Sequence, residues 1–303
     1  MPQNPLVSII ICSYNRMQYL PKCLEHLKNQ TCKTEDYEIV LINNNSTDKT
    51  ELICKEYIQK NPELNVSYFL EKNPGLSHAR NRGVEEAKGD ILCFIDDDGF
   101  AIPDYVKTIS KYAIDINYSN YMAFGGKVIP CYNKGKEPIW LSKYISGLVS
   151  EVDLGKKVKP FDKKYPAGCN MIFRKEFFEN HGGFNVDLHT RGDDKYIFQK
   201  LRDKKHKILY IPELKVSHFI DDYRLEKNFI IRLSKIIGQS EAIRLKNKNV
   251  IFKSIKFFEY LIKWKASLLL AVIFLAKGQK EKSKYIVMVR WQVILGYFMK
   301  EKL

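Results

Sequence analysis

The sequence predicts a doubly wound α/β domain followed by a basic helical extension. Three features point to it. Short β-branched runs alternate with helical patterns from residue 6 to residue 95, polar clusters follow the ends of those runs, and the character changes to long basic helices from about residue 224.

The elements read in order. Leu6 to Cys12 is an apolar strand, SYNR a polar turn, and the next stretch a helix with Leu20, Leu24 and Leu27 on one face. The unit repeats with a strand at Tyr37 to Ile42, the turn NNNSTD, which can cap a helix through Asn45, Ser46 or Thr47, and a helix over Lys49 to Lys60. Val66 to Leu70 is a third strand, Leu76 to Ala87 a helix, and Ile91 to Ile95 a fourth strand. In such sheets ligands bind beyond the carboxyl ends of the strands, where SYNR, NNNSTD and DDDG all fall.

After Pro103 the pattern loosens. Tyr121 to Ile129 is a strand, and Cys131 to Lys163 is an irregular connection suited to shaping a substrate site. Order returns with Gly168 to Phe173, a helix over Lys175 to Asn180, the RGDD stretch at 191–194, a helix over Lys195 to Lys204, and strands at Ile208 to Ile211 and Val216 to Phe219. Helices follow at Leu225 to Lys246, Ile251 to Lys277 and Glu281 to Lys300. The longest uncharged apolar run in them, Ala266 to Ala276, is short of the roughly twenty residues that span a bilayer.

Composition narrows the class. The 303 residues, 45% hydrophobic and 13% aromatic, suffice for a large core and exclude a disordered or fibrous chain. Seven scattered cysteines without zinc spacing read as reduced thiols, and the first apolar run lacks a basic leader, so a cytoplasmic position is expected. The net charge of +15 is uneven: residues 221–303 hold 18 Lys+Arg against 7 Asp+Glu, leaving 32 against 28 in the first 220. A basic tail can meet nucleic acid, anionic lipid or a phosphorylated acceptor.

The segment ILCFIDDDGF poses a physical question, because Asp96, Asp97 and Asp98 follow an apolar strand where water screens their repulsion poorly. A positive charge is expected beside them.

The motifs VSIIICSYNR, EIVLINNNSTD, NPGLSHARNRGVEEAKGDILCFIDDDG, GCNMIFRKEFFENHGGFN, GDDKYIFQKL and IPELKVSH, in this order, resemble those of the family 2 glycosyltransferases. The resemblance covers about residues 6 to 220. It implies a GT-A type doubly wound, mixed and mostly parallel sheet, and an enzyme that moves one sugar, with inversion, from a nucleotide-diphospho-sugar to a hydroxyl of a glycan or lipid-linked oligosaccharide in surface polysaccharide synthesis. By this likeness residues 1–222 form the catalytic domain, with a nucleotide half at 1–102 and an acceptor half at 103–222, and residues 223–303 form the extension.

The resemblance also implies site roles. Asp96 and Asp98, with His218 as a further ligand, hold Mn²⁺ or Mg²⁺ against the donor diphosphate, and Asp97 faces the ribose or sugar. The base rests near Cys12, Tyr14 and Asn44. Relatives often carry a carboxylate in the NNNS segment; an amide both donates and accepts, so a UDP-sugar stays the first candidate donor. Arg80 meets the diphosphate, and Arg82, two residues on, faces elsewhere. In the acidic pair, Asp194 is the general base and Asp193 binds or orients the acceptor. Gly168 and Asn170 shape the sugar pocket; Trp140 is either a sugar-stacking ring or a buried loop residue.

The extension, with Trp264, Phe257, Phe258, Trp291 and Phe298 among its lysines, suits the inner face of a membrane or a homodimer interface. A non-catalytic sugar-binding module of the same fold is the alternative, and a nucleic-acid binder a third reading for which no motif is visible. The carboxylate set Asp96, Asp98 and Asp194 favours the enzyme, and the lack of GxGxxG after the first strand disfavours a dinucleotide reductase.

Overall fold

The computed structural model describes residues 6–133, 135–162, 164–187, 192–246 and 248–299. The chain forms two compact units: one of residues 1–130, 152–189 and 193–219, the other of residues 131–151, 190–192 and 220–303.

The first unit is built on a mixed sheet. Strands β1 (Val7–Ser13), β2 (Tyr37–Asn43), β3 (Val66–Leu70) and β4 (Ile91–Phe94) pair in parallel in the order β3-β2-β1-β4, with helices α1 (Leu20–Lys28), α2 (Thr50–Lys60) and α3 (Leu76–Glu86) as the crossovers. After β5 (Gly99–Ala101), α4 (Tyr105–Ile114), β6 (Tyr121–Tyr132) and β7 (Lys159–Pro160), strand β8 (Met171–Arg174) joins β4 antiparallel. Helices α5 (Glu176–His181) and α6 (Asp193–Asp203) precede β9 (Lys207–Ile220), and the order continues β8-β6-β9-β5, with β7 paired to β9.

The apolar runs are strands because both faces of the sheet are covered. Ile9 and Ile11 enter one core layer while Ile10, between them, enters the other; Cys93 and Phe94 divide in the same way. Burial on both sides removes the alternation that a half-exposed strand would show.

Most predicted elements fall within a few residues of their places. One does not: the two short runs expected around Pro212 form a single strand of 14 residues. Proline lacks an N–H, which argues for a break, but β9 keeps its pairing on both sides of Pro212, with β7 at Leu209 and Tyr210 and with β5 from Val216 to His218.

The second unit gathers helices α7 (Lys227–Arg244), α8 (Val250–Ala276) and α9 (Lys280–Phe298) around a core that includes Trp140, Leu141, Ile230, Ile286 and Val289. Part of the irregular stretch expected to shape the substrate site, Cys131–Glu151, therefore belongs to this helical unit. Among the described residues no helix is long and apolar enough to cross a membrane. All seven cysteines are free.

Gly126 marks the tightest packing in the sheet: a Cβ there would lie 1.9 Å from the Leu214 carbonyl oxygen. Backbone cannot yield as a side chain does. Gly126→Ala is expected to lower the unfolding free energy by about 2 kcal/mol or more, read by urea denaturation, whereas alanine at open Gly147 changes little.

Candidate active site

The three aspartates after β4 sit among groups from β1, α3 and β9. Ser13 ends β1 and donates its hydroxyl to Asp97 at 2.7 Å. Arg16, in the turn that follows, reaches Asp97 through Nε at 3.0 Å and Asp98 through Nη2. Its guanidinium lies 4.4 Å from the centre of the Tyr19 ring, which restricts where it can point.

A second arginine holds the other side. Arg80 on α3 is 3% exposed and binds Asp96 at 3.2 Å and Asp193, at the start of α6, through Nη1. Burial works against its charge, yet Asp193 and Asp96 more than offset that and hold the guanidinium protonated above the usual arginine range. The positive charge demanded by the aspartate run is thus supplied in part by the chain itself. Arg82 pairs with Glu86 and stays apart, as its angle on the helix requires.

The antiparallel register of β5 and β9 sets His218 opposite Gly99, next to Asp98. His218 Nε2 lies 3.1 Å from Asp98 Oδ1, and its Nδ1 is buried without a hydrogen-bond partner. Ligand atoms of Asp96, Cys169 and His218 also lie within 4.8 Å of one another. Burial pushes the Cys169 thiol well above its usual range. Asp96 and His218 offer an oxygen and an imidazole that fit a divalent ion and lean from Mg²⁺, which prefers oxygen alone, toward a transition ion, while Asp98 adjoins this pair through its contact with His218.

Beside these residues lies a cleft of about 310 Å³ lined by Cys12, Ser13, Tyr14, Asn44, Pro74, Gly75, Leu76 and Ala79. The Tyr14 ring is 57% exposed, and the lining has the flat apolar character that accepts a heterocycle. One expectation changes here. Asn44 lines the cleft, but its amide is fully engaged with the 71–75 loop: Nδ2 donates to the carbonyls of Glu71 and Asn73, and Oδ1 accepts from Gly75 N–H at 2.8 Å. Gly75 needs to be glycine, since its φ is +126°. The turns after β1 and β2 are also knit together, with Asn15 Oδ1 accepting from Thr47 N–H at 2.7 Å. Burial pushes the Cys12 thiol up to about 12, so it contributes to the wall as a neutral group.

Other predicted residues take different places. Asn170 is fully buried: Oδ1 accepts from Tyr105 hydroxyl at 2.6 Å, and Nδ2 donates to the Lys127 and Leu214 carbonyls. It braces the sheet and does not line a sugar pocket. Trp140 lies in the second unit, stacked on Tyr285 with centroids 5.0 Å apart, and is the buried loop residue of the two readings. Gly168 passes close to Arg80, where a Cβ would stand 2.9 Å from Nη2. Asp193 is buried against Arg80, whereas its neighbour Asp194 is half-buried and accepts from Lys195 N–H at 2.6 Å. Arg191 of the RGDD stretch lies outside the described residues. Arg16 was not anticipated, although it stands in the SYNR cluster already placed at the strand ends.

A model of glycosyl transferase family 2 matches residues 8–182. The chain belongs to the family 2 glycosyltransferases. Among curated relatives, glycosyltransferase GlyA of Streptococcus pneumoniae is 27% identical over 75% of this chain, a match that takes in only 32% of that longer protein. The glucosyl-dolichyl phosphate glucuronosyltransferase of Haloferax volcanii is 24% identical, over 78% of this chain and 76% of its own length. Among solved structures, the mannosyltransferase PcManGT of Pyrobaculum calidifontis, in complex with GDP-Man and Mn²⁺, superposes with a TM-score of 0.61 at 17% identity, covering 97% of this chain and 88% of its own. That likeness confirms the GT-A fold.

Two predictions follow from the charge cluster of this family 2 member. Arg80→Met strands the buried Asp193 carboxylate and is expected to cost about 3–5 kcal/mol of stability by urea denaturation. Adding Asp193→Leu to it should recover most of that loss, because the pair is then removed as a whole.

Burial, with Asp98 and Asp96 adding to it against the pull of Arg16, pushes the Asp97 carboxyl up to about 7. The unfolded group titrates near about 3.9. Between these values the folded state retains a proton that the unfolded state has lost, so the contribution of Asp97 to stability falls as pH rises from about 4 to about 7 and is level above. Unfolding free energies of the wild type minus those of Asp97→Asn, measured across that window, should decline with pH.

Proposed function

We propose that this chain is an inverting, metal-dependent glycosyltransferase that moves one sugar from a nucleotide-diphospho-sugar to a hydroxyl of a glycan or lipid-linked acceptor of surface polysaccharide synthesis. The observation that carries the reading is that Asp96 and His218, with Asp98 3.1 Å from His218, lie beside a nucleobase-sized cleft, within one unit that also holds the Asp193–Asp194 pair. The dolichyl-phosphate relative supports the lipid-linked acceptor, and the Mn²⁺ complex of the mannosyltransferase supports the metal.

Each residue has a task in this reading. Tyr14 stacks on the base, with Leu76 and Pro74 as the opposite walls of the slot. Asn44 holds the loop that forms one wall, and a UDP-sugar is the first candidate donor. Asp96 and His218, with Asp98 beside them, would hold a divalent ion, whose chemistry would be positive charge against the departing diphosphate. Arg16, whose side chain keeps 23% exposure beside Asp97 and Asp98, is the guanidinium for the diphosphate oxygens. Arg80 is a positioning residue: it fixes Asp193 and so the start of α6, which carries Asp194. Asp194 accepts the proton of the acceptor hydroxyl as that oxygen attacks the anomeric carbon from the face opposite the nucleotide.

A ligand that binds only the folded chain raises its melting temperature with saturation. In a panel of UDP-, GDP-, dTDP- and CMP-sugars, one nucleotide is expected to stabilise the protein in a Mn²⁺-dependent manner. Asp98→Ala should abolish that dependence. Asp194→Asn should preserve donor binding while lowering kcat by about 10²-fold or more. Stabilisation by a glycan alone, with no nucleotide response, would instead identify a sugar-binding module.

A further inference from the structure

Helix α8 presents to solvent a face that is apolar except for Lys265. Ile251, Ile255, Phe258, Ile262, Leu269 and Val272 recur at spacings that keep them on one side, and Ile251, Ile262 and Leu269 are 67%, 67% and 72% exposed. The opposite side is the one that packs: Tyr260 meets Tyr297, Trp264 meets Trp291, and Ser267 is buried. The aromatic residues Phe257 and Trp264, which the sequence offered as surface anchors, instead pack against α9, at Phe298 and Trp291. With 27 residues the helix extends about 40 Å, and the exposed face is far larger than scattered surface leucines account for.

Charge selects what covers this face. Lys265 lies within it, between Ile262 and Leu269, Lys263 borders it, Lys248 precedes the helix, and Lys277 and Lys280 follow it, all exposed. The one acidic residue of α8, Glu259, is already bound by Lys256 and Lys263. A second copy of the chain would bring lysines onto lysines with no carboxylate to receive them, whereas an anionic lipid surface supplies both the apolar bed and the opposite charge. The helix is not apolar enough to cross a membrane, which leaves it lying in the interface.

We propose that the exposed face of α8 seats in the interfacial layer of a membrane that carries anionic lipids. This deepens the lipid-linked acceptor reading, on which it rests, by naming the surface that brings the enzyme to a substrate confined to two dimensions.

The test is flotation of the full-length protein with vesicles of phosphatidylcholine, with and without phosphatidylglycerol, beside light scattering of the free protein. The wild type is expected to float with the anionic vesicles, and less so as salt rises. Lys265→Gln should weaken binding about fivefold, in line with one basic residue at a lipid surface. Ile255→Asp/Ile262→Asp should weaken it about tenfold or more, with helicity and nucleotide-sugar stabilisation unchanged. Failure of the wild type to bind anionic vesicles, or equal binding by the double variant, overturns the proposal. So does a wild-type dimer that the double variant dissolves, since a second copy would then own the face. If vesicle binding behaves as expected while no nucleotide-sugar stabilises the protein, the membrane surface stands and the transferase reading falls.

Discussion

The first unit depends on one electrostatic constraint: three consecutive carboxylates at the end of a buried strand must be neutralised. Arg16 reaches Asp97 and Asp98 from the turn after β1, and Arg80 reaches Asp96 from α3. Those contacts tie the ends of β1 and β4 and the flank of α3 into one arrangement. Three adjoining aspartates in a place of low effective dielectric would otherwise repel by several kcal/mol, on the order expected for like charges at that distance. The positions of the turn, the helix and the strand end are therefore coupled through charge as well as through apolar packing.

The same arrangement makes the site receptive. A carboxylate cluster balanced only by protein cations has little freedom, but this one borders a histidine with a buried, unpartnered Nδ1 and an aspartate, Asp96, whose side chain is 37% exposed. A divalent ion in that position would take over part of the neutralising task and leave Arg16 able to meet phosphate oxygens. Arg80 has no such freedom, because its buried pairing with Asp193 holds the start of α6. Two guanidiniums on adjoining aspartates thus divide into one structural and one adaptable group, and burial decides which is which.

The helical unit follows a different rule. Its core is aromatic, with Trp140 on Tyr285 and Trp264 beside Trp291, and α9 contributes buried Ile286 and Val289. Helix α8 gives one side to this core and leaves the other uncovered.

What the sequence by itself determined was the local framework. Strands β1, β2 and β4 were legible because burial on both faces writes a continuous apolar run into the chain, and α8 because its period is carried by its own residues. Asp96, Asp98, His218 and Asp194 stand out as candidates only through ordered motifs, not through their spacing. Tertiary structure alone decided the rest. Arg16 meets an aspartate 82 residues away, and the β5–β9 register sets His218 beside Asp98, so neither pairing leaves a local signal. Asn44 and Asn170 have the residue type of ligand-binding groups, yet the packing around them supplies backbone partners for their amides. Whether a polar side chain faces a ligand or completes the fold depends on which distant backbone atoms come within hydrogen-bonding reach, and only the folded chain sets that.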